Sequence, residues 1–214
     1  MSPEPGNEPP LSPEGFQALL QAALPGAGID VPPGAASGLS IYLAELDGWR
    51  RRLNLTGNLS AGDLVEHTLE SLLACDLIAH GARVVDAGSG AGFPALPIAI
   101  ARPDLEVTLV EPRGKKCAFL RHVVRTLRLP RTSVLEGRIE EVGGQTFDVV
   151  TTRALGDIAG WLGDGRLLAS GGTALAWTTA REALASSLAG TFEAAGSIPV
   201  PGGERREIAI FRKR

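Results

Sequence analysis

The chain has 214 residues, 44% of them hydrophobic and 21% charged, which is enough to bury one good core. No apolar run approaches the roughly 18 residues of a membrane-spanning helix and no signal-peptide pattern opens the chain, so we expect a cytoplasmic protein with no membrane partner. A formal net charge of −3 excludes a general nucleic-acid binder and leaves only local basic patches for such a role. Cysteines and histidines are scattered without metal-ligand spacing, so no metal site is predicted.

The N-terminal third is predicted to be a tail followed by helices. Residues 1–12 are rich in proline and poor in apolar side chains, which predicts a disordered tail. Residues 13–79 then show helical patterns, the first ending before Pro25 and the third beginning after Ser60 as N-cap. We expect this part to form a helical extension that packs on a second domain over residues 80–214.

From residue 83 onward, short apolar runs alternate with helical patterns, which is typical of a parallel sheet with its ligand site at the strand C-termini. After the fourth strand the pattern predicts a helix over residues 158–168, a fifth strand ending at Trp177, another helix and two closing strands. The residues that follow the first four strands are Gly88, Glu111, Ile139 with Glu140, and Arg153.

A glycine-rich turn follows the first strand directly and opens into a helix. Alternating glycines let backbone N–H groups converge at the positive end of a helix dipole, where a nucleotide or a carboxylate fits. The spacing is G-x-G-x-G, and Phe93 stands where a dinucleotide-binding turn has its last glycine, which disfavours a nicotinamide-dependent oxidoreductase. A tight turn with no ligand is the alternative. The candidate ligand-binding residues of the turn are Asp86, Gly88, Ser89, Gly90, Gly92 and Phe93.

The second strand ends in Glu111, about one βαβ unit after the glycine turn. An acid at this place can accept hydrogen bonds from both hydroxyls of a ribose, and the alternative is an exposed carboxylate at a strand end.

Two basic clusters elsewhere in the sequence are either RNA contacts or ordinary solvated helix faces. Their candidate RNA-binding residues are Arg50, Arg51, Arg52, Lys115, Lys116 and Arg121.

Several motifs follow one another in order between about Ile41 and Ala154. They are Asn54-Leu55-Thr56, His67 with Glu70-Ser71-Leu72, the run from Asp86 to Pro94, Gly114-Lys115-Lys116, Arg138-Ile139-Glu140-Glu141, and Thr152-Arg153-Ala154. Together these motifs resemble the small-subunit ribosomal RNA methyltransferase G family, also called glucose-inhibited division protein B.

The resemblance implies an α/β, Rossmann-like class I fold that uses S-adenosylmethionine, with a mostly parallel seven-stranded sheet, helices on both faces and a closing antiparallel hairpin. It implies methyl transfer from S-adenosylmethionine to N7 of one guanine in 16S rRNA, which the protein meets either as naked RNA or within the 30S subunit. We expect a monomer, since nothing in the sequence demands a dimer.

The resemblance also implies roles for individual residues. Gly88 and Phe93 contact the cofactor, Ile139 and Glu140 flank its adenine, and Arg153 closes the site as the candidate catalytic residue. Glu111 stands where the family usually has Asp, and the longer side chain can make the same ribose contact. Guanine N7 has a lone pair and no proton, so transfer needs positioning rather than a general base.

Arg153 can hydrogen-bond either the guanine edge or the cofactor's carboxylate, and a strand-end salt bridge is a third possibility.

The C-terminal part departs from the family, with Thr178 and Thr179 where a Lys-Gly is common. Two alternative functions follow: a methyltransferase that acts on a small molecule or a protein, and a cofactor-binding protein without catalysis.

Overall fold

The computed structural model describes residues 9–153, 156–201 and 206–214. Among these residues, no helix is both long and apolar enough to cross a membrane. The described α-helices are α1 (Pro13–Ala27), α2 (Ala35–Arg50), α3 (Ala61–Leu72), α4 (Ala95–Ala101), α5 (Gly114–Thr126), α6 (Ile158–Leu162) and α7 (Arg181–Leu188). The described strands are β1 (Arg83–Ala87), β2 (Glu106–Glu111), β3 (Thr132–Glu136), β4 (Phe147–Arg153), β5 (Leu168–Thr178), β6 (Phe192–Pro199) and β7 (Glu207–Lys213).

These strands form one seven-stranded sheet in the order β3-β2-β1-β4-β5-β7-β6. The first five strands in chain order run parallel, whereas β7 pairs antiparallel with both β5 and β6. The predicted mostly parallel sheet with a closing hairpin is therefore confirmed. The strand order reverses between β1 and β4, and ligands of open α/β sheets bind at such a switch point, beyond the carboxyl ends of the strands.

Two hydrophobic layers cover the two faces of the sheet. Successive strand residues point to opposite faces, so Val84 packs in one layer and Val85 in the other. The first layer contains side chains of α1 to α5, and the second contains Trp161 and Leu162 of α6 with Leu188 of α7. The expectation of helices on both faces is confirmed.

The helical segments before β1 pack against the glycine turn. Tyr42 of α2 is fully buried, and its hydroxyl donates a 2.9 Å hydrogen bond to the carbonyl of Ala91 in that turn. Residues 1–8 of the predicted tail lie outside the described residues. Leu11 and Ser12 depart from the prediction of disorder, because the Leu11 N–H donates to Asp47 (2.9 Å) and the Ser12 hydroxyl caps α1.

Two helix boundaries differ from those predicted. The first helix continues through Pro25, because a proline in the last turn costs one hydrogen bond near an end that Gly28 then closes at φ +64°. The helix predicted over residues 158–168 ends at Leu162, and Gly165 at φ +67° turns the chain into β5.

Candidate active site

The glycine turn needs glycine for its backbone shape. Gly88, Gly90 and Gly92 have φ of +73°, +56° and +102°, and a Cβ on Gly92 would stand 2.4 Å from Leu96 Cδ1. The N–H groups of Gly88 and Ser89 both donate to the carbonyl of Val110 at 3.0 Å. Gly90 and Gly92 also donate within the protein. These four amides therefore bond within the protein, so the turn shapes the cleft and ties β1 to β2, and its contact with a ligand stays a prediction.

Asp86 lies beneath the turn and is 1% exposed. The Thr151 hydroxyl donates to Asp86 Oδ1 at 2.7 Å, whereas Oδ2 has no hydrogen-bond partner among the described residues. Burial raises the pKa of Asp86 to about 7, although the hydrogen bonds from Thr151 and Ser89 act in the opposite direction. This carboxyl group therefore gains a proton near neutral pH.

Replacing Asp86 by asparagine is expected to change how stability depends on pH. The pKa of Asp86 is about 7 in the folded state and 3.8 in the unfolded chain. Between these two pH values the folded state binds a proton that the unfolded state lacks. The stability of wild type therefore falls as the pH rises from 3.8 to about 7. The variant has no titrating carboxyl group at this position, so between pH 5 and pH 8 its free energy of unfolding should rise by about 3 kcal/mol relative to that of wild type. Urea unfolding at both pH values measures this difference. Parallel pH profiles of the two proteins would contradict it.

Glu111 is buried at the carboxyl end of β2 and is not the exposed strand-end carboxylate of the alternative interpretation. Its Oε2 accepts the Gly90 N–H and its Oε1 accepts the Arg113 N–H, both at 2.9 Å. Each carboxylate oxygen accepts more than one hydrogen bond, so capacity for two ribose hydroxyls is left. Glu111 thus holds the glycine turn in place at the carboxyl end of the parallel strands.

A cleft of about 450 Å³ opens beside the turn, and Gly88, Ile139, Glu140 and Trp161 are among its lining residues. The structure thus brings together residues that the sequence places at two strand ends, Gly88 after the first strand and Ile139 with Glu140 after the third. Trp161 was missed, because its helical pattern indicates a core residue. Its buried indole Nε1 has no hydrogen-bond partner among the described residues. Apolar walls with a few polar groups suit a nucleoside.

Arg153 ends β4 with a side chain that is 15% exposed, and it is joined to the helical part. Its Nη2 lies 2.7 Å from Glu70 Oε2 and 2.7 Å from His67 Nδ1, both on α3. Burial lowers the pKa of Arg153, while the charge of Glu70 acts to raise it. Arg153 is therefore held in an ion pair, and the salt bridge foreseen from the sequence is present.

Phe93 links the turn to the Arg153 ion pair. Its ring makes edge-on contacts with Tyr42 and His67, at centroid distances of 5.6 Å and 5.7 Å. The wall between the glycine turn and Arg153 therefore contains side chains of α2 and α3.

The predicted RNA-binding residues separate into two groups. Arg52, Lys115 and Lys116 line one cavity of about 400 Å³ with Asn54 and Arg113, and none of its described lining residues is acidic. We call it the basic cavity. It adjoins the glycine turn, because Lys116 Nζ stands 3.7 Å from the place of a Cβ on Gly90.

The other three predicted contacts serve the protein itself. Arg50 donates to Asp47 and to the carbonyl of Leu59, and its side chain is largely buried, which contradicts the expectation that it contacts RNA. Arg51 also contacts Asp47, at 3.5 Å. Arg121 is paired with Glu136 at 3.1 Å on the exposed surface.

The fold is that of a class I S-adenosylmethionine-dependent methyltransferase. The structure of a SAM-dependent methyltransferase from Aquifex aeolicus matches 69% of this chain and 90% of its own, with a TM-score of 0.58 and 13% identity. A structure from Pyrococcus horikoshii, TYW2 in complex with MeSAdo, matches with a TM-score of 0.57 and 14% identity over 69% of this chain and 62% of its own. At these identities the likeness concerns the fold alone.

The chain belongs to the rRNA small subunit methyltransferase G family, whose model matches residues 35–184. A ribosomal RNA small subunit methyltransferase G from Chloroflexus aggregans is 40% identical, over 80% of this chain and 79% of its own length. Its namesake from Xanthomonas axonopodis pv. citri is 37% identical over 97% of this chain and 99% of its own. The protein is therefore a methyltransferase, and the resemblance read from its motifs is confirmed.

Proposed function

We propose that this protein transfers the methyl group of S-adenosylmethionine to N7 of one guanine in 16S rRNA, acting as a monomer in the cytoplasm. The observation that carries the proposal is the meeting of three features at one glycine turn: the nucleoside-sized cleft, the Arg153 ion pair and the basic cavity. The names of the matched relatives support the small-subunit rRNA as substrate.

The residues around the cleft fit S-adenosylmethionine. Glu111 would accept hydrogen bonds from the ribose hydroxyls, and Ile139, Glu140 and Trp161 would surround the adenine. Gly88 and Phe93 would contact the rest of the molecule, on a turn shaped by Asp86, Ser89, Gly90 and Gly92. When bound, S-adenosylmethionine supplies a methyl group activated by the positive sulfur.

The target side of the site is suited to an acceptor that needs no deprotonation. Guanine N7 offers a lone pair, so the protein has only to hold the base in line and to stabilise charge. Arg153 Nη1 is buried and has no hydrogen-bond partner among the described residues, so a donor is left for the guanine edge, which is the partner proposed here. A guanidinium that donates to O6 leaves the N7 lone pair free.

The basic cavity would hold RNA phosphates beside the target guanine. Arg52 and Lys116 lie in it without a described acidic neighbour in its lining, so both charges are available to an anion. The substrate is either naked 16S rRNA or the 30S subunit.

Removing both charges, in the double variant Arg52→Ala and Lys116→Ala, should reduce the slope of log K against log salt for 16S rRNA by about 2, close to one unit for each phosphate that is no longer neutralised. Filter binding at a series of KCl concentrations measures the slope. The matched control is Arg83→Ala, which removes an ion-paired arginine at the opposite end of β1. Equal slopes for the double variant and wild type would exclude phosphate binding in the basic cavity.

The proposed substrate is tested with S-adenosylmethionine labelled on its methyl group. Unmethylated 30S subunits, stripped 16S rRNA and a protein extract are offered to the enzyme in parallel. Label in 16S rRNA, from either RNA source, is the expected result. Label only in the protein or small-molecule fraction would favour the alternative methyltransferase, and cofactor binding without transfer would favour a silent binding protein.

A further inference from the structure

One carboxylate outside the cofactor cleft holds the Arg153 ion pair together. Glu70, in the last turn of α3, is 3% exposed. Its Oε2 lies 2.7 Å from Arg153 Nη2 and 3.3 Å from His67 Nδ1, and its Oε1 lies 3.0 Å from Arg206 Nη2. Two guanidinium groups thus share one carboxylate.

The backbone of Glu70 is fixed as well. The indole Nε1 of Trp177 donates to the Glu70 carbonyl at 3.3 Å. Trp177 is the register partner of Arg153 in the pairing of β4 with β5. Glu70 therefore connects α3 of the helical part with two neighbouring strands of the sheet and, through Arg206, with the residue that precedes β7.

The surroundings keep Glu70 ionised. Burial alone would raise the pKa of its carboxyl group, but the neighbouring His67 and the charges of Arg153 and Arg206 outweigh burial and hold that pKa below its usual value. An arginine side chain without a partner samples many rotamers, whereas a buried carboxylate at hydrogen-bond distance selects one. The orientation of Arg153 thus depends on a residue outside its own strand.

We propose that Glu70 is a positioning residue for methyl transfer: it holds the guanidinium of Arg153, and that of Arg206, in the orientation that meets the target base. This inference rests on the proposed role of Arg153. Glu70 itself touches neither the RNA nor the cofactor. The helical part then contributes to the chemistry through this one carboxylate, in addition to covering the sheet.

The substitution Glu70→Gln keeps the size of the side chain and removes its charge. We expect kcat on 16S rRNA to fall about 100-fold, the scale on which misplacement of a catalytic group acts. Binding of S-adenosylhomocysteine, measured by calorimetry, should change less than about twofold, because the cofactor contacts are retained. Glu70→Asp restores the charge with a shorter reach and should recover about tenfold of the lost rate. The matched control is Glu45→Gln, which alters the 2.8 Å contact with His122, and its kcat should equal that of wild type.

A measurement without RNA separates this inference from the proposed function. The ¹⁵N signal of the Arg153 guanidinium, assigned with Arg153→Lys, should be resolved and in slow exchange in wild type and should be lost in Glu70→Gln. An unchanged Arg153 signal, or an unchanged kcat in an active preparation, would overturn the positioning role. If wild type transfers no methyl group to rRNA, the proposed function fails while the signal still decides whether Glu70 orients Arg153. If Glu70→Gln does not fold, the test uses Glu70→Asp instead. A wild-type kcat for Glu70→Asp, together with an unchanged Arg153 guanidinium signal, would overturn the inference.

Discussion

Replacing Arg153 by alanine should lower kcat/KM for 16S rRNA by about 1,000-fold, the loss seen when a preorganised hydrogen-bond donor is removed from a site of charge development. The variant removes the only cation that β4 directs to this edge of the sheet. Its effect should fall on the chemical step, because the guanidinium is proposed to meet the target base rather than the cofactor.

The fold should survive this change. Glu70 keeps Arg206 at 3.0 Å and His67 at 3.3 Å, so the buried carboxylate is not left without a positive partner. Affinity for S-adenosylhomocysteine and the cooperative unfolding transition should therefore stay close to wild type. Single-turnover methylation of 30S subunits measures the effect. Arg102→Ala is not a suitable control variant, because the Arg102 side chain donates hydrogen bonds to three backbone carbonyl groups. Near-normal turnover by Arg153→Ala in a folded preparation would remove Arg153 from the mechanism.

Replacing Glu111 by alanine should weaken the binding of S-adenosylhomocysteine at least 100-fold. The carboxylate is proposed to bind the ribose hydroxyls, and each hydrogen bond to a charged group contributes about 1.5 to 3 kcal/mol. The variant also removes the carboxylate that accepts 2.9 Å hydrogen bonds from the N–H groups of Gly90 and Arg113, and these bonds hold the turn in place. Both losses act on the same binding step.

The control for this variant stands on the same strand. Glu106→Ala removes an exposed acid at the opposite end of β2, so it should leave the affinity unchanged. Glu111→Asp, the residue that the family usually has there, should retain most of the binding. Calorimetric titration with S-adenosylhomocysteine distinguishes these cases. Equal affinities of Glu111→Ala and wild type would show that the ribose lies elsewhere.

Local signals in the sequence predicted much of the fold. Ser60 was predicted as the N-cap of a helix, and the structure has Ser60 there with Asp63 completing a capping box. The second strand was predicted to end in Glu111, and β2 ends there. Both features depend on residues within one turn or one strand, and side-chain chemistry at that range decides them.

The parts that were missed depend on contacts between distant segments. Glu70 was noticed only as part of a motif, and its two arginine neighbours, Arg153 and Arg206, reach it from β4 and from the residue before β7, far along the chain. Trp161 lines the cleft from α6, although its helical pattern indicates only a core position. Arg50 was assigned to RNA by charge alone, but the buried Asp47 on the preceding helical turn takes up its guanidinium. Periodicity and composition contain no information on which partner a side chain will meet.

The central claim, N7 methylation of one guanine in 16S rRNA, is tested most directly by chemical mapping. 30S subunits that lack the modification are incubated with S-adenosylmethionine and either wild type or Arg153→Ala, and the extracted 16S rRNA is reduced and then cleaved with aniline at N7-methylguanosine. The account predicts one new cleavage site, present with wild type and absent with Arg153→Ala. Full incorporation of methyl label without any new cleavage site, or cleavage of equal strength with the variant, would contradict it.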